Sequence, residues 1–407
     1  MSPRVKKIIL SNGLTGFICW YGVEKVFQKT IHISVLQVSL MAIVYITISA
    51  LLNIPTGILA DKKGRRYALV LATISLFIST LAGGLSHNVW QYLIPIIFWG
   101  LFYTTQNGAY EAILYDTLKE EGTEKSYARV SGLMHAAFWA SIFTSSVIGA
   151  WVGSHFNLRL AYFITLIPNA LNIILALSLH EPKRQKHDAT VSSYAMAKQG
   201  FKFLKSSPQV LRLAGTFLLI SLLSWMTNEF GQLYFIELGF GVFLVGLLNA
   251  FSGLFQSFGN FIGHKFNHIS VSTMTVLSMI VFITTFLIPV KFRYIGMAFF
   301  FAFVLLRQVF YISNDTAIQH KLPSNIRATT LSSLGMINDG ILVVCYFGFG
   351  MTSQHINVRT GYLFIGLCGG LILITTRILS KKLKDRHEEY FEIAPNLATE
   401  KIDSVPR

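Results

Sequence analysis

The sequence predicts an all-α integral membrane protein, with twelve transmembrane helices in two pseudo-symmetric six-helix bundles and both termini cytoplasmic. Three observations predict it. The chain of 407 residues is 53% hydrophobic and only 13% charged, about half the charge of a soluble domain, so a bilayer suits it better than water. Its apolar residues fall into separate runs, each near the ~20 residues that a membrane span requires. Its cations gather in alternate connections, as the bias of Lys and Arg toward cytoplasmic loops demands.

Taken in order, the basic start Arg4, Lys6, Lys7 leads into an apolar run over 8–28. No small-residue cleavage site follows it, so the run reads as the first span and not as a signal peptide. The next five runs cover 34–60, 67–86, 89–118, 129–153 and 157–179, and Pro182 stops the sixth helix. A second set covers 209–236, 240–262, 270–290, 293–319, 328–352 and 357–379. Several are long enough to tilt or to protrude from the hydrocarbon. The chain therefore divides into an N-terminal bundle (1–179), a linker (180–208), a C-terminal bundle (209–379) and a polar cytoplasmic tail (380–407). Within the linker, Tyr194, Ala197, Phe201 and Leu204 form one stripe with Lys198, Lys202 and Lys205 along its edge. That pattern predicts a helix lying in the inner interface, its lysines snorkelling outward; a solvated linker helix is the alternative.

With the N-terminus cytoplasmic, roughly 27 of the 34 Lys and Arg residues fall on the inner side and about 6 outside. The net charge of +15 thus reports orientation against an anionic leaflet and implies no nucleic acid partner. Cys19, Cys345 and Cys368 all lie in apolar runs with no metal-ligand or disulfide spacing. No phosphate-binding loop is present, and no nucleophile–base pair lies in a soluble segment, so neither ATP-driven transport, an enzyme nor a cofactor site is expected.

The halves read as diverged copies. Trp20-x-x-x-Glu24 in span 1 matches Trp225-x-x-x-Glu229 in span 7, and Asp116-Thr117 followed by Arg129 matches Asp315-Thr316 followed by Arg327. After span 2 the chain reads GILADKKGRR (Gly57–Arg66), with a worn copy, GNFIGHKFNH, at Gly259–His268. Parallel repeats of six spans are a transporter architecture. GILADKKGRR closely follows the signature G-x-L-a-D-[RK]-x-G-R-[RK] between helices 2 and 3 of the major facilitator superfamily, and the whole chain resembles that family. Smaller echoes are PTG before the motif, GAYEAILYDTL in helix 4, HEP after helix 6 and IRATTLSSL entering helix 11. There are two departures. The outer half of helix 4 lacks the arginine frequent in the family's proton antiporters, and helix 5 has Gly149 and Gly153 but no proline.

The loop motif carries the first candidate residues. Gly57 would let helix 2 approach a neighbour, and Gly64 permits a tight turn that aims Arg65 and Arg66 back at the bundle. Asp61 can face a helix N-terminus, where a carboxylate gains about 0.3–1 kcal/mol. The resemblance implies the start of helix 11, near Arg327–Leu331, as that partner. Arg65 or Arg66 would pair with Asp116, with Arg129 nearby, in a gating latch; cations that only enforce topology are the alternative. Among ionisable groups within spans, Arg307 and Asp339 (beside Asn338) fall at similar depth near the midplane and are expected to pair, at a coupling site or as a structural ion pair. Glu24 and Glu229, each one turn from a tryptophan, suit a cation, unless Glu24 is an outer-surface residue beside Lys25. Glu111 lies lower in helix 4 as an inner-gate candidate, and Gln106 and Asn107 are placed to orient a polar substrate. His135 reads as a packing residue.

These residues imply a monomeric secondary transporter working by alternating access. It would carry a small molecule in the plasma or inner membrane, with protons as the coupling ion. Acidic candidates outnumbering Arg307 favour efflux of a cationic or zwitterionic amphipath. Uptake of a polar or anionic metabolite by symport, with Arg307 on a substrate carboxylate, is the alternative. A non-transporting receptor on the same fold is a third reading.

Overall fold

The computed structural model describes residues 1–182, 207–266, 269–322 and 327–393, and every regular element among them is helical. The N-terminal half contains α1 (Pro3–Thr15), a 3-10 turn at Cys19–Val23, α2 (Glu24–Thr30), α3 (Val35–Lys63), α4 (Arg65–Leu85), α5 (Val89–Gln106), α6 (Ala109–Glu120), α7 (Tyr127–His155) and α8 (Leu158–Leu177). The C-terminal half contains α9 (Pro208–Glu237), α10 (Val242–Gly263), α11 (Val271–Leu287), α12 (Arg293–Lys321), α13 (Arg327–His355) and α14 (Val358–Ile393). Among the described residues nine helices are long and apolar enough to cross a membrane and α11 is a shorter apolar helix; two composite segments bring the crossings to twelve. The first is α1 with the 3-10 turn and α2, and the fourth is α5 with α6. The stripe at Tyr194–Lys205 lies outside the described residues.

Two predicted spans are broken, which hydropathy does not reveal. The run 8–28 leaves helical geometry between Gly16 and Ile18. The freed amides are satisfied by neighbours: Ile18 N donates to Ser145 Oγ at 3.0 Å and Cys19 N to Thr165 Oγ1 at 3.0 Å. Irregular backbone at membrane depth survives only with such partners. Gly149 makes the arrangement possible, because a Cβ there would collide with the Cys19 carbonyl. The run 89–118 breaks at Asn107 and Gly108, the latter at φ 71°, a left-handed conformation that glycine adopts without steric cost.

Each half packs around its own helices, and two symmetric seams join them: α3 against α13, and α7 against α10. The duplication exchanges these seams, since spans 2 and 5 correspond to spans 8 and 11. The duplication includes one more paired motif. Asn157-x-Arg159-x-x-Tyr162 opens α8, and Asn357-x-Arg359-x-x-Tyr362 opens α14. In each copy the asparagine caps the helix, accepting from Arg159 N at 2.8 Å or from Thr360 N at 2.9 Å. In each the arginine donates to the carbonyl ending a preceding helix, Gly84 O at 2.7 Å or Ile288 O at 2.9 Å.

Among the described residues the seams close at one end only. At the end carrying the α2–α3 turn, the space a Cβ on Gly246 would need is taken by Ala150, and that on Gly350 by Ser39. At the end carrying Gly64, positions Gly57, Gly132, Gly335 and Gly340 meet no atom of another helix among the described residues within 4 Å of where a Cβ would sit. Gly57 therefore makes no close helix approach here, contrary to its sequence reading, because this end of the bundle is splayed.

Candidate functional site

A cavity of about 240 Å³ lies between the halves beneath the closed end. Its wall begins with the broken first crossing, which turns Trp20 inward. The Trp20 ring stacks on Tyr162 at 5.1 Å and meets Trp99 edge-on at 5.4 Å, while its Nε1 donates to Thr80 Oγ1 at 3.2 Å. Tyr21, Tyr45, Tyr103 and Trp225 continue the aromatic lining. Such walls bind apolar bodies, and their ring faces attract cations.

At the cavity's closed end sits a charge cluster that crosses between halves. Lys25 Nζ lies 2.6 Å from Glu229 Oε1 and 3.1 Å from Glu24 Oε2. The lysine side chain is 6% exposed, Glu24 14% and Glu229 29%. Burying an ammonium requires such partners. Glu24 is held firmly: its Oε1 accepts from Gln28 Nε2 at 3.0 Å and from Tyr92 OH at 3.1 Å. Tyr92 in turn meets Tyr162 OH at 2.7 Å. Glu229 has no second donor among the described residues and opens onto the cavity. Gln232 braces the same junction, accepting from Lys25 N at 3.0 Å and donating to Tyr21 O at 2.8 Å.

The duplicated Trp–Glu pairs thus reach one cavity, as pseudo-symmetric helices facing each other should. Glu24 is in the cavity wall and not on the outer surface. Lys25 is the residue sequence reasoning missed. A lysine beside a glutamate near a span end reads as a surface pair, and nothing local signals a partner 204 residues away.

A second cavity of about 150 Å³ continues toward the open end and shares Tyr45, Tyr103 and Trp225 with the first. Asn107 and Asp339 line it. Gln106 ends α5 with its Oε1 buried and without a partner among the described residues, as is Asn338 Oδ1. Arg307 does not pair with Asp339. It is 1% exposed and donates from Nη2 to Asn228 Oδ1 at 2.9 Å. Equal depth on neighbouring helices did not bring the two charges together, because Arg307 faces α9 within its own half while Asp339 faces the seam.

The remaining candidates sit at the open end. Asp61 is 68% exposed and lies 3.3 Å from Arg65. Gly64 adopts φ 124° between α3 and α4, so its role as the turn residue holds. No ion pair among the described residues joins Arg65 or Arg66 to Asp116. Instead Glu181 caps α4, accepting from Arg65 N at 2.9 Å and Arg66 N at 2.7 Å, and the Arg66 guanidinium donates to Leu177 O. The helix N-terminus served by a carboxylate here is that of α4, and the residue is the glutamate of the HEP echo. Asp116 is half-buried in α6 and Arg129 is exposed at the start of α7. Glu111 lies 3.7 Å from His135, both about half exposed, so His135 is a surface partner of Glu111 and not a packing residue.

Comparison with known proteins fits this architecture. The family model described as Major Facilitator Superfamily matches residues 8–345. An uncharacterized transporter of Buchnera aphidicola is 25% identical over 115 residues, covering 28% of this chain and 29% of that protein's length. Among solved structures, the nucleoside transporter NupG superposes with TM-score 0.71 at 14% identity, covering 92% of this chain and 98% of its own. A bacterial homolog of the human lysosomal transporter Spinster, in an inward-facing, occupied conformation, gives 0.70 at 15% identity, covering 94% and 96%. The peptide transporter POT gives 0.70 at 11%, covering 93% and 94%. At these identities the structures speak to the fold alone.

Proposed function

The chain belongs to the Major Facilitator Superfamily and is a multi-pass membrane transporter; from that premise we propose that it exchanges protons for a small amphipathic organic cation or zwitterion. The observation that carries this reading is the charge count at the cavity wall. Two carboxylates face one lysine, an excess of one carboxylate at a partly enclosed cavity wall. A single positive charge balances it, and either a proton on Glu229 or the ammonium of a substrate supplies that charge. Two ligands that neutralise the same group exclude each other, and mutual exclusion at one alternating site is antiport. The aromatic lining suits the apolar body of such a substrate.

The same cluster couples occupancy to movement. Lys25 and Gln232 tie the halves at the closed end, and this tie must part for that end to open. A positive charge arriving at Glu229 weakens its attraction to Lys25, whose strength rises as water is excluded. The Lys and Arg bias supports a cytoplasmic location for the open end. The substrate then loads from the cytoplasm and leaves in exchange for an entering proton, which is efflux.

The test is transport of a panel of aromatic amines in proteoliposomes carrying an internal pH dye. Wild type should move protons against amine, and Glu229→Gln should lose at least tenfold in proton-driven rate. Full activity in Glu229→Gln, or a substrate that proves anionic, would overturn the reading.

A further inference from the structure

Resting on the proposed cation exchange, we propose that Asn228 is a substrate-binding donor held in place by Arg307, and that the preferred substrate is a zwitterion whose carboxylate Asn228 receives. Arg307 lies in the middle of α12, 1% exposed, and no carboxylate pairs with it among the described residues. Its Nη2 donates to Asn228 Oδ1 at 2.9 Å, while its Nε and Nη1 are buried without a partner among the described residues. Gln256 Nε2 donates to the same Asn228 oxygen at 3.2 Å.

A guanidinium only donates, so the amide oxygen of Asn228 must face it. With that oxygen taken by two donors, the amide nitrogen is the part left for the cavity, whose wall Asn228 joins. A full positive charge stands directly behind the amide and polarises it, so its N–H groups favour an anionic or strongly basic acceptor. The next residue along the helix is Glu229. Consecutive Cα atoms are about 3.8 Å apart, so a donor backed by a cation and a carboxylate of net negative surroundings sit within the length of one small molecule. A substrate with an ammonium and a carboxylate satisfies both, and a simple amine satisfies only one. Arg307 is a positioning residue here, acting through Asn228.

Matched probes test this: phenylalanine against phenethylamine, and tryptophan against tryptamine, compared by competition and by initial transport rate in proteoliposomes. Wild type should show a KM at least tenfold lower for the zwitterion of each pair. Asn228→Leu should bring that ratio near one. Arg307→Gln should reduce the ratio with kcat less affected, and Arg307→Lys should restore part of it, a rescue that a merely structural arginine would not give. An unchanged ratio in Asn228→Leu, or equal KM values for both probes in wild type, overturns the inference while leaving cation exchange standing. Failure of all four probes to compete or move overturns both.

Discussion

Lys25 decides the chemistry of the cavity, and its burial has a measurable cost. Removing one partner of a buried ion pair leaves the others uncompensated, at about 3–5 kcal/mol. Lys25→Met should therefore lower the thermal midpoint in detergent markedly, because Glu24 and Glu229 would face each other with no cation between them. The double variant Lys25→Met with Glu229→Gln should recover part of the loss, since one of the two stranded charges is gone. If the double variant is as unstable as the sum of the singles, the pair is not coupled and the cluster is not a unit. Glu24 and Glu229 are recognisable in sequence from their tryptophans and their shared offset. Lys25 is not, because a cation's role depends on which carboxylates reach it, and the decisive one comes from the other half. The same limit applies to Arg307: depth along a helix is countable at 1.5 Å per residue, but the direction a side chain faces is settled by packing.

At the scale of elements, run length recovers the crossings among the described residues, because it follows from bilayer thickness. The breaks at Gly16–Ile18 and Asn107–Gly108 escape it, since hydropathy is blind to backbone geometry. The polar pair Gln106–Asn107 before Gly108 is the trace left in the sequence, and it reads as substrate-binding polarity just as well. The glycines separate the two kinds of helix contact. At Gly149 the obstructing atom is backbone, the Cys19 carbonyl, which cannot rotate away. Gly149→Ala should cost about 1–3 kcal/mol or more by overpacking, lowering yield and thermal midpoint. Gly132 stands in open space in the same helix. Gly132→Leu should leave stability within about 0.5 kcal/mol of wild type or raise it, as glycine is a poor helix former. Transport should nonetheless fall at least tenfold, because the splayed end has to close over that position. Normal transport with leucine at 132 would mean that this seam stays open throughout the cycle.

For the whole molecule, the symmetric seams give alternating access a concrete geometry. The α3–α13 and α7–α10 contacts are exchanged by the duplication, so a closure made at one end by one pair of seams can be made at the other end by the same helices rocking about the cavity. Ser39 is fully buried at the closed end against the space of Gly350, while Gly335 is unobstructed at the open end. Single cysteines at these positions, in a background with Cys19, Cys345 and Cys368 replaced, should report opposite faces of one motion. In the resting protein Gly335→Cys should react readily with a hydrophilic maleimide and Ser39→Cys should be protected. Weakening the Lys25–Glu229 tie by the substitution Glu229→Gln should reverse the pattern, slowing label at 335 and exposing 39. The reversal must be reciprocal, since a rigid rocking motion cannot open one end without narrowing the other. Simultaneous gain of label at both positions would indicate loosening of the bundle, and constant label at both would mean that the charge cluster does not govern which end is open.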